Sequence, residues 1–230
     1  QLIQRVSERY GIPASLLVAI VGVETRYGTY TGRHRVLDAL RTLAFDYPPR
    51  SDFFRGELVE YLLLTREEGL DPLAPKGSYA GAMGLPQFIA SSYRAYAVDF
   101  NGNGRRDLWD ELPDVLASVA NYFARHGWEP GEAVAVRAQV RGDGWAKLQE
   151  PGLKPQTRVG ALVDAGVSLT RPLPASAPAR LTVLEGEEGK QYWVTLKNFY
   201  VITRYNHSSL YAMAVYQLSR ALQERHGGSA

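Results

Sequence analysis

Pro13-Ala14-Ser15-Leu16-Leu17-Val18-Ala19-Ile20-Val21-Gly22-Val23-Glu24-Thr25-Arg26-Tyr27-Gly28 is the stretch whose reading decides the fold. Pro13 can open a helix, because its missing N–H is not needed in the first turn. Residues 13 to 25 then read as helix. Leu17, Ile20 and Val21 lie seven, four and three positions before Glu24, so all four share one face. A carboxyl at the end of an apolar helical face is partly desolvated, which raises its pKa. A general acid working near neutral pH needs that shift. Glu24 is therefore a candidate general acid, and an exposed Glu near a helix end is the alternative reading of the same pattern.

On either side of this helix the first 130 residues carry mainly helical signals. A short helix is expected over residues 37 to 44, and Pro48-Pro49 breaks it. Ser51 is a candidate N-cap for a helix to residue 67, with Phe54, Leu58, Tyr61 and Leu62 on one face. Residues 71 to 84 read as loop and 86 to 96 as helix. Pro113 opens a further helix whose buried stripe is Leu116, Val119, Ala120 and Phe123. Near residue 130 the period changes to two. Val134, Val136, Ala138 and Val140 alternate as in a strand, and Gly186-Glu187-Glu188-Gly189 joins two runs into a β-hairpin. From Ser208 the pattern is helical again. One face carries Leu210, Met213, Ala214 and Gln217, the other Tyr211, Val215, Leu218 and Leu222, so this helix reads as central.

The expected fold is mainly α (α+β). A helical body over residues 1 to 130 is interrupted by a small β-rich insert over 131 to 197, and the chain returns to the body over 198 to 230.

Composition narrows the function. The chain has 230 residues, 45% apolar and 22% charged, with a net charge of +2, so nothing argues for nucleic acid. No apolar run approaches the ~20 residues of a membrane helix. The absence of cysteine excludes disulfides, thiol nucleophiles and zinc–thiolate sites. Fourteen Tyr and four Trp suit a surface that meets sugar rings, although core packing uses aromatics too.

Asp99-Phe100-Asn101-Gly102-Asn103-Gly104-Arg105-Arg106-Asp107-Leu108-Trp109-Asp110 matches the opening of an EF-hand loop. Side-chain oxygens stand at positions 1, 3 and 5, Gly at 6, and the Arg105 carbonyl at 7. Position 12 is Asp110 where Glu is usual, and Asp114 would close a longer loop. Neutral Asn at two ligand positions implies weak Ca²⁺ binding in a structural role. A metal-free Asn-Gly turn is the alternative.

Several pieces, in this order, carry a resemblance: Gly22 to Gly28, Ser78 to Gly84 with Pro86-Gln87-Phe88, Ser91-Ser92-Tyr93, and Ala97 to Phe100. Ser118 to Phe123 with His126-Gly127-Trp128, Asn198-Phe199 and Ile202 to Tyr211 complete it. The chain resembles the membrane-bound lytic transglycosylase B family (glycoside hydrolase family 103), peptidoglycan-cleaving enzymes with a lysozyme-like core. The resemblance spans almost the whole chain. Leu85 stands where relatives often carry a polar residue, and further residues usually precede the 23 found here before the catalytic Glu.

The resemblance implies that Glu24 is the single acid/base. It implies substrate contacts from Arg50, Ser78, Gln87, Phe88, Tyr122, Tyr205, Asn206 and Tyr211. It implies a Ca²⁺ site from Asp99, Asn101, Asn103, the Arg105 carbonyl and, in preference to Asp110, Asp114, with no organic cofactor. It also implies cleavage between N-acetylmuramic acid and N-acetylglucosamine with a 1,6-anhydromuramyl product. The expected partners are glycan strands and other cell-wall enzymes, in a monomer exported to the periplasm or cell envelope. A lysozyme-type hydrolase and a non-catalytic peptidoglycan-binding module are the alternatives.

Overall fold

The structure, a computed structural model, describes residues 1 to 149 and 151 to 227. They group into two compact units, the first running from Gln1 to Tyr122 and the second from Phe123 onward. The fold is the mainly helical α+β class that the sequence implies. Among the described residues no single helix is long and apolar enough to cross a membrane.

The first unit opens with α1 (Leu2–Tyr10) and α2 (Ala14–Thr25). Leu16, Leu17, Ala19, Ile20 and Val21 are all buried, so α2 is wrapped on more than one side. Pro13 sits just outside the helix, in an extended conformation at the N-cap. Then come β1 (His34–Arg35), α3 (Val36–Phe45) and α4 (Ser51–Glu67). Ser51 is not a cap. It is the first residue of α4, and its hydroxyl donates to the Ala44 carbonyl at 2.7 Å. The buried stripe of α4 is Phe54, Glu57, Tyr61, Leu64 and Thr65, while Leu62 is exposed. The stripe is rotated because a carboxylate occupies it. Glu57 accepts from the Ser91 hydroxyl at 2.6 Å and the Ser91 N–H at 3.1 Å, which satisfies the start of α5 (Ala90–Tyr96).

Within the expected 71–84 loop, β2 (Lys76–Gly77) pairs antiparallel with β1. Residues 86 to 89 are not helical. Met83 and Phe88 instead bridge each other across a tight turn. α6 (Leu112–Arg125) buries the expected Leu116, Val119, Ala120 and Phe123.

The second unit is built on a five-stranded sheet of order β4-β6-β7-β3-β5. Its strands are β3 (Ala135–Val140), β4 (Thr157–Arg158), β5 (Val167–Leu169), β6 (Pro178–Gly186) and β7 (Gly189–Thr195), with α7 (Val159–Asp164) between β4 and β5. β6 and β7 form the expected hairpin, closing at the pair Gly186 and Gly189. α8 (Lys197–Tyr205) and α9 (Ser209–Gly227) follow.

α8 and α9 group with the sheet in the second unit. Side-chain clips explain this. Asn198 at the start of α8 accepts from the Glu129 N–H and donates to the Glu129 and Glu132 carbonyls, fixing the turn before β3. On α9 the buried residues are Ala212, Met213, Val215 and Ser219, whereas Leu210, Ala214 and Gln217 are exposed.

Two buried tyrosines predict the alkaline limit of stability. Burial, and secondarily the Asp71 charge, pushes the Tyr61 phenol up to about 12 from 10.0. Burial, then the Glu68 charge, also raises Tyr93. A folded pKa above the unfolded one means that the unfolded chain loses its proton first. The stability from these groups is complete below pH 10.0 and falls as pH rises towards 12. Each tyrosine should cost about 1.4 kcal/mol per pH unit in that window. Urea midpoints measured at successive pH values should show this slope, and Tyr61→Phe should reduce it.

Candidate active site

Glu24 lies in the last turn of α2 and is half-buried. The helix ends in a left-handed step. Arg26 (φ 49°) donates its N–H to Gly22 O at 3.0 Å, and Tyr27 (φ 58°) donates to Val21 O at 3.2 Å. Together they close the helix through two consecutive left-handed residues, without the glycine that usually supplies positive φ at a helix end. Two non-glycine residues in this region cost about 1–3 kcal/mol each, a strain found disproportionately at functional sites. Gly22 is glycine because the Tyr27 ring folds back over it, and a Cβ there would lie 2.7 Å from the ring.

Thr25 joins this helix end to a distant loop. Its hydroxyl lies within donating distance of Val21 O (3.1 Å) and Leu85 O (3.2 Å), and its oxygen accepts from the Gly28 N–H at 3.0 Å. The sequence reading passed over Thr25, since a buried hydroxyl beside a charged residue has no pattern of its own. It also explains why Leu85 is tolerated. Leu85 works through its backbone, accepting from Thr25 and donating to Leu108 O at 2.8 Å. Thr25→Val should lower stability by about 1–3 kcal/mol, the cost of losing the buried hydroxyl's bonds to Val21 O and Leu85 O and its hold on the Gly28 N–H. Thr25→Ser should restore most of it, and calorimetry of both variants checks this.

The loop reached by Thr25 carries the next candidates. Gln87 is left-handed (φ 52°), and its amide donates to Thr31 O at 3.1 Å and Gly84 O at 2.9 Å. Both amide hydrogens are committed, so Gln87 clamps the loop to the segment after α2 and presents only its Oε1 outward. Gly84 (φ 68°) brings the loop against Leu108, whose carbonyl a Cβ would meet at 2.4 Å.

Ser78 follows β2. Its Oγ accepts from the Ala80 N–H at 3.2 Å and the Ala82 N–H at 3.0 Å. With both lone pairs occupied, the hydroxyl is left as a donor. Phe88 packs against Tyr122 at 5.7 Å, and Tyr122 meets Tyr96 edge-on at 4.9 Å. Only 3% of Phe88 and 8% of Tyr122 is exposed, so they offer edges rather than open ring faces.

Arg50 is exposed at the end of a 3-10 turn, with its guanidinium over the Phe53 ring at 4.4 Å and the Phe54 ring at 5.2 Å. Tyr205, Asn206 and Tyr211 belong to the second unit. Tyr205 stacks on Tyr211 (6.4 Å, 11°) and tilts against Phe123 at 5.7 Å. Asn206 is exposed at the end of α8. A cavity of about 440 Å³ between residues 31–32, 68–76 and 105–110 is lined by neither Glu24, Ser78 nor Gln87.

The 99–114 loop turns its oxygens inward. Asp99 accepts from the N–H groups of Gly102, Asn103 and Gly104, Asn101 from Asn103, and Asn103 from Arg105. The amides of Asn101 and Asn103 both point to Glu111, at 3.0 and 3.5 Å. Glu111, next to Asp110, is the carboxylate that the sequence reading missed. Asp114 is fully buried and accepts from the Phe100 N–H at 2.9 Å and the Asp107 N–H at 3.0 Å. Among the described residues no three His, Asp or Glu side chains form a metal-holding group. The donor set is instead oxygen-rich and mixed, which suits a hard cation. A buried carboxylate with no ion-paired cation among the described residues is what such an ion would neutralise.

The chain is 49% identical over 220 residues to membrane-bound lytic murein transglycosylase B of Escherichia coli (strain K12), an alignment covering 96% of this chain and 60% of that protein. The chain therefore spans about 60% of the length of that relative. Among solved structures, the E. coli lytic transglycosylase Slt35 in complex with calcium superposes with a TM-score of 0.90 at 48% identity, covering 97% of this chain and 70% of that one. SltB3 from Pseudomonas aeruginosa in complex with NAG-anhNAM-pentapeptide superposes with a TM-score of 0.87 at 33% identity, covering 97% of this chain and 60% of that one. The lysozyme-like fold expected from the sequence is the fold of this chain. The model for the transglycosylase SLT domain matches residues 1 to 220, and the chain belongs to that family.

Proposed function

We propose that the protein is a peptidoglycan lytic transglycosylase with Glu24 as its only acid/base. One observation carries this reading. Thr25, beside Glu24, is hydrogen-bonded to Gly28, Tyr30 and Leu85, Gln87 is bonded to Thr31 and Gly84, and no residue of the two segments 25–31 and 82–88 is acidic. A two-carboxylate hydrolase needs a second carboxylate beside the first, whereas a substrate-assisted route does not. Protonated Glu24 donates to the bridging β-1,4 oxygen between N-acetylmuramic acid and N-acetylglucosamine. The substrate's acetamido group stabilises the cationic C1. Ionised Glu24 then takes the proton of the C6 hydroxyl as that oxygen attacks C1. The bond closes a 1,6-anhydro ring, and no water enters.

Ser78 donates its remaining hydrogen to the acetamido carbonyl or the C6 oxygen. Gln87 offers Oε1, and Phe88 and Tyr122 stiffen the wall behind it. Arg50, Tyr205, Asn206 and Tyr211 are the further proposed contacts to the strand. A Ca²⁺ ion would be held by Asp99, Asn101, Asn103, the Arg105 carbonyl and Asp114, with Glu111 adding negative charge. Its role is to pin the loop, and no step of the reaction passes through it. The proposed setting is a monomer in the periplasm or cell envelope, acting on glycan strands alongside other cell-wall enzymes.

Mass spectrometry of muropeptides released from purified peptidoglycan tests the reading. Anhydro products, lighter than hydrolysed ones by one water (about 18 Da), support it. Reducing-end products would make the protein a lysozyme-type hydrolase, and no release would make it a binding module.

A further inference from the structure

The sheet of the second unit has two faces of opposite character. Ala138, Leu181, Val194 and Leu196 turn to an apolar core on one side. Arg137 on β3 and Trp193 on β7 are out of phase with these and point to the other side, because successive side chains alternate. The two are register partners. The Arg137 guanidinium lies 5.2 Å over the Trp193 ring and donates to Gln191 Oε1 at 3.0 Å. Tyr216 on α9 meets Trp193 edge-on at 6.4 Å and anchors its hydroxyl on Ala135 O at 3.0 Å. A groove of about 420 Å³ remains beside these side chains, bounded also by Arg171, Arg220 and Glu224.

Three observations specify what this groove takes. Arg220 is paired with Glu224 at 3.3 Å, which leaves Arg137 and Arg171 without an acidic partner among the described residues. The Trp193 indole N–H is shielded from solvent and has no acceptor. Native folds seldom leave a buried donor so. Arg137 also covers a face of the indole, so a sugar ring cannot stack there. What the groove presents to a ligand is the guanidinium N–H donors and positive charge of Arg137 and Arg171, the chemistry that recognises an oxyanion. Its volume exceeds that of a lone inorganic anion.

We infer that the groove between the outer sheet face and α9 binds a carboxylate of an acidic peptide, namely the stem peptide that peptidoglycan strands carry. The choice of peptide rests on the function proposed above. The site lies wholly within the second unit.

The test uses the full chain labelled with ¹⁵N and follows the Trp193 indole N–H resonance, assigned through Trp193→Phe. The probes are a sugar-free stem peptide, the same peptide with its carboxylates amidated, and inorganic phosphate. The free peptide should move the Trp193 signal saturably, and the amidated peptide should not. Arg171→Glu, at an exposed position outside the strands, should weaken binding by about tenfold or more. An unmoved signal, equal movement with the amidated peptide, or tighter saturation by phosphate than by peptide would overturn the inference. Failure of the proposed reaction would show separately, as absent anhydro products, and Glu24→Gln should bind the peptide unchanged.

Discussion

Glu24→Gln should leave a folded protein that releases essentially no muropeptide. The change keeps the side chain's size at a half-buried helix end, so the melting temperature should stay close to that of the parent. Losing one proton-transfer group costs a factor of about 10² to 10⁴. In the proposed reaction one group protonates the leaving oxygen and then deprotonates the attacking hydroxyl, so the loss should reach or exceed the upper end of that range. Turnover of purified peptidoglycan, followed with circular dichroism as the control for folding, measures it. Residual activity within tenfold of the parent would mean that another group supplies the proton.

Asp114→Ala should produce the largest loss of stability. The carboxylate is fully buried and holds two backbone N–H groups, those of Phe100 and Asp107. Its removal leaves both unpaired, at about 1–3 kcal/mol each. A fall of about 2–6 kcal/mol lowers the melting temperature by very roughly 5–20 °C for a chain of this size. Calcium should raise the melting temperature of the parent and have little effect on the variant, because a ligand stabilises only a fold that binds it. Equal stabilisation of both proteins by calcium would place the ion elsewhere.

The helices that carry Glu24 and the core were legible because their apolar periods are long and their breakers clear. α2, α6 and the β6–β7 hairpin needed only Pro13, the 116–123 stripe and the Gly186 to Gly189 turn. What the sequence hid was decided by single polar atoms acting over long separations. Glu57 turned the buried face of α4 because Ser91, 34 residues later, needs a carboxylate. The left-handed Gln87 stopped a helix that Pro86 seemed to open, since its amide is held by Thr31, 56 residues earlier. β1 and β2 are two residues each, too short for any period to show. The grouping of α8 and α9 with the sheet depends on Asn198 and Tyr216, ordinary residues until their partners are known. In the candidate site, Glu24 and Ser78 stood out through the motifs around them. Thr25 and Glu111 did not, because a hydroxyl and a carboxylate acting through backbone and amide groups leave no spacing rule behind.

Digestion of peptidoglycan in ¹⁸O-labelled water tests the central claim most directly. If the C6 hydroxyl attacks C1 under Glu24's control, solvent oxygen never enters the product, and every released muramyl end should be anhydro and unlabelled. One ¹⁸O at the new muramyl end would show that water is the nucleophile and would contradict the account.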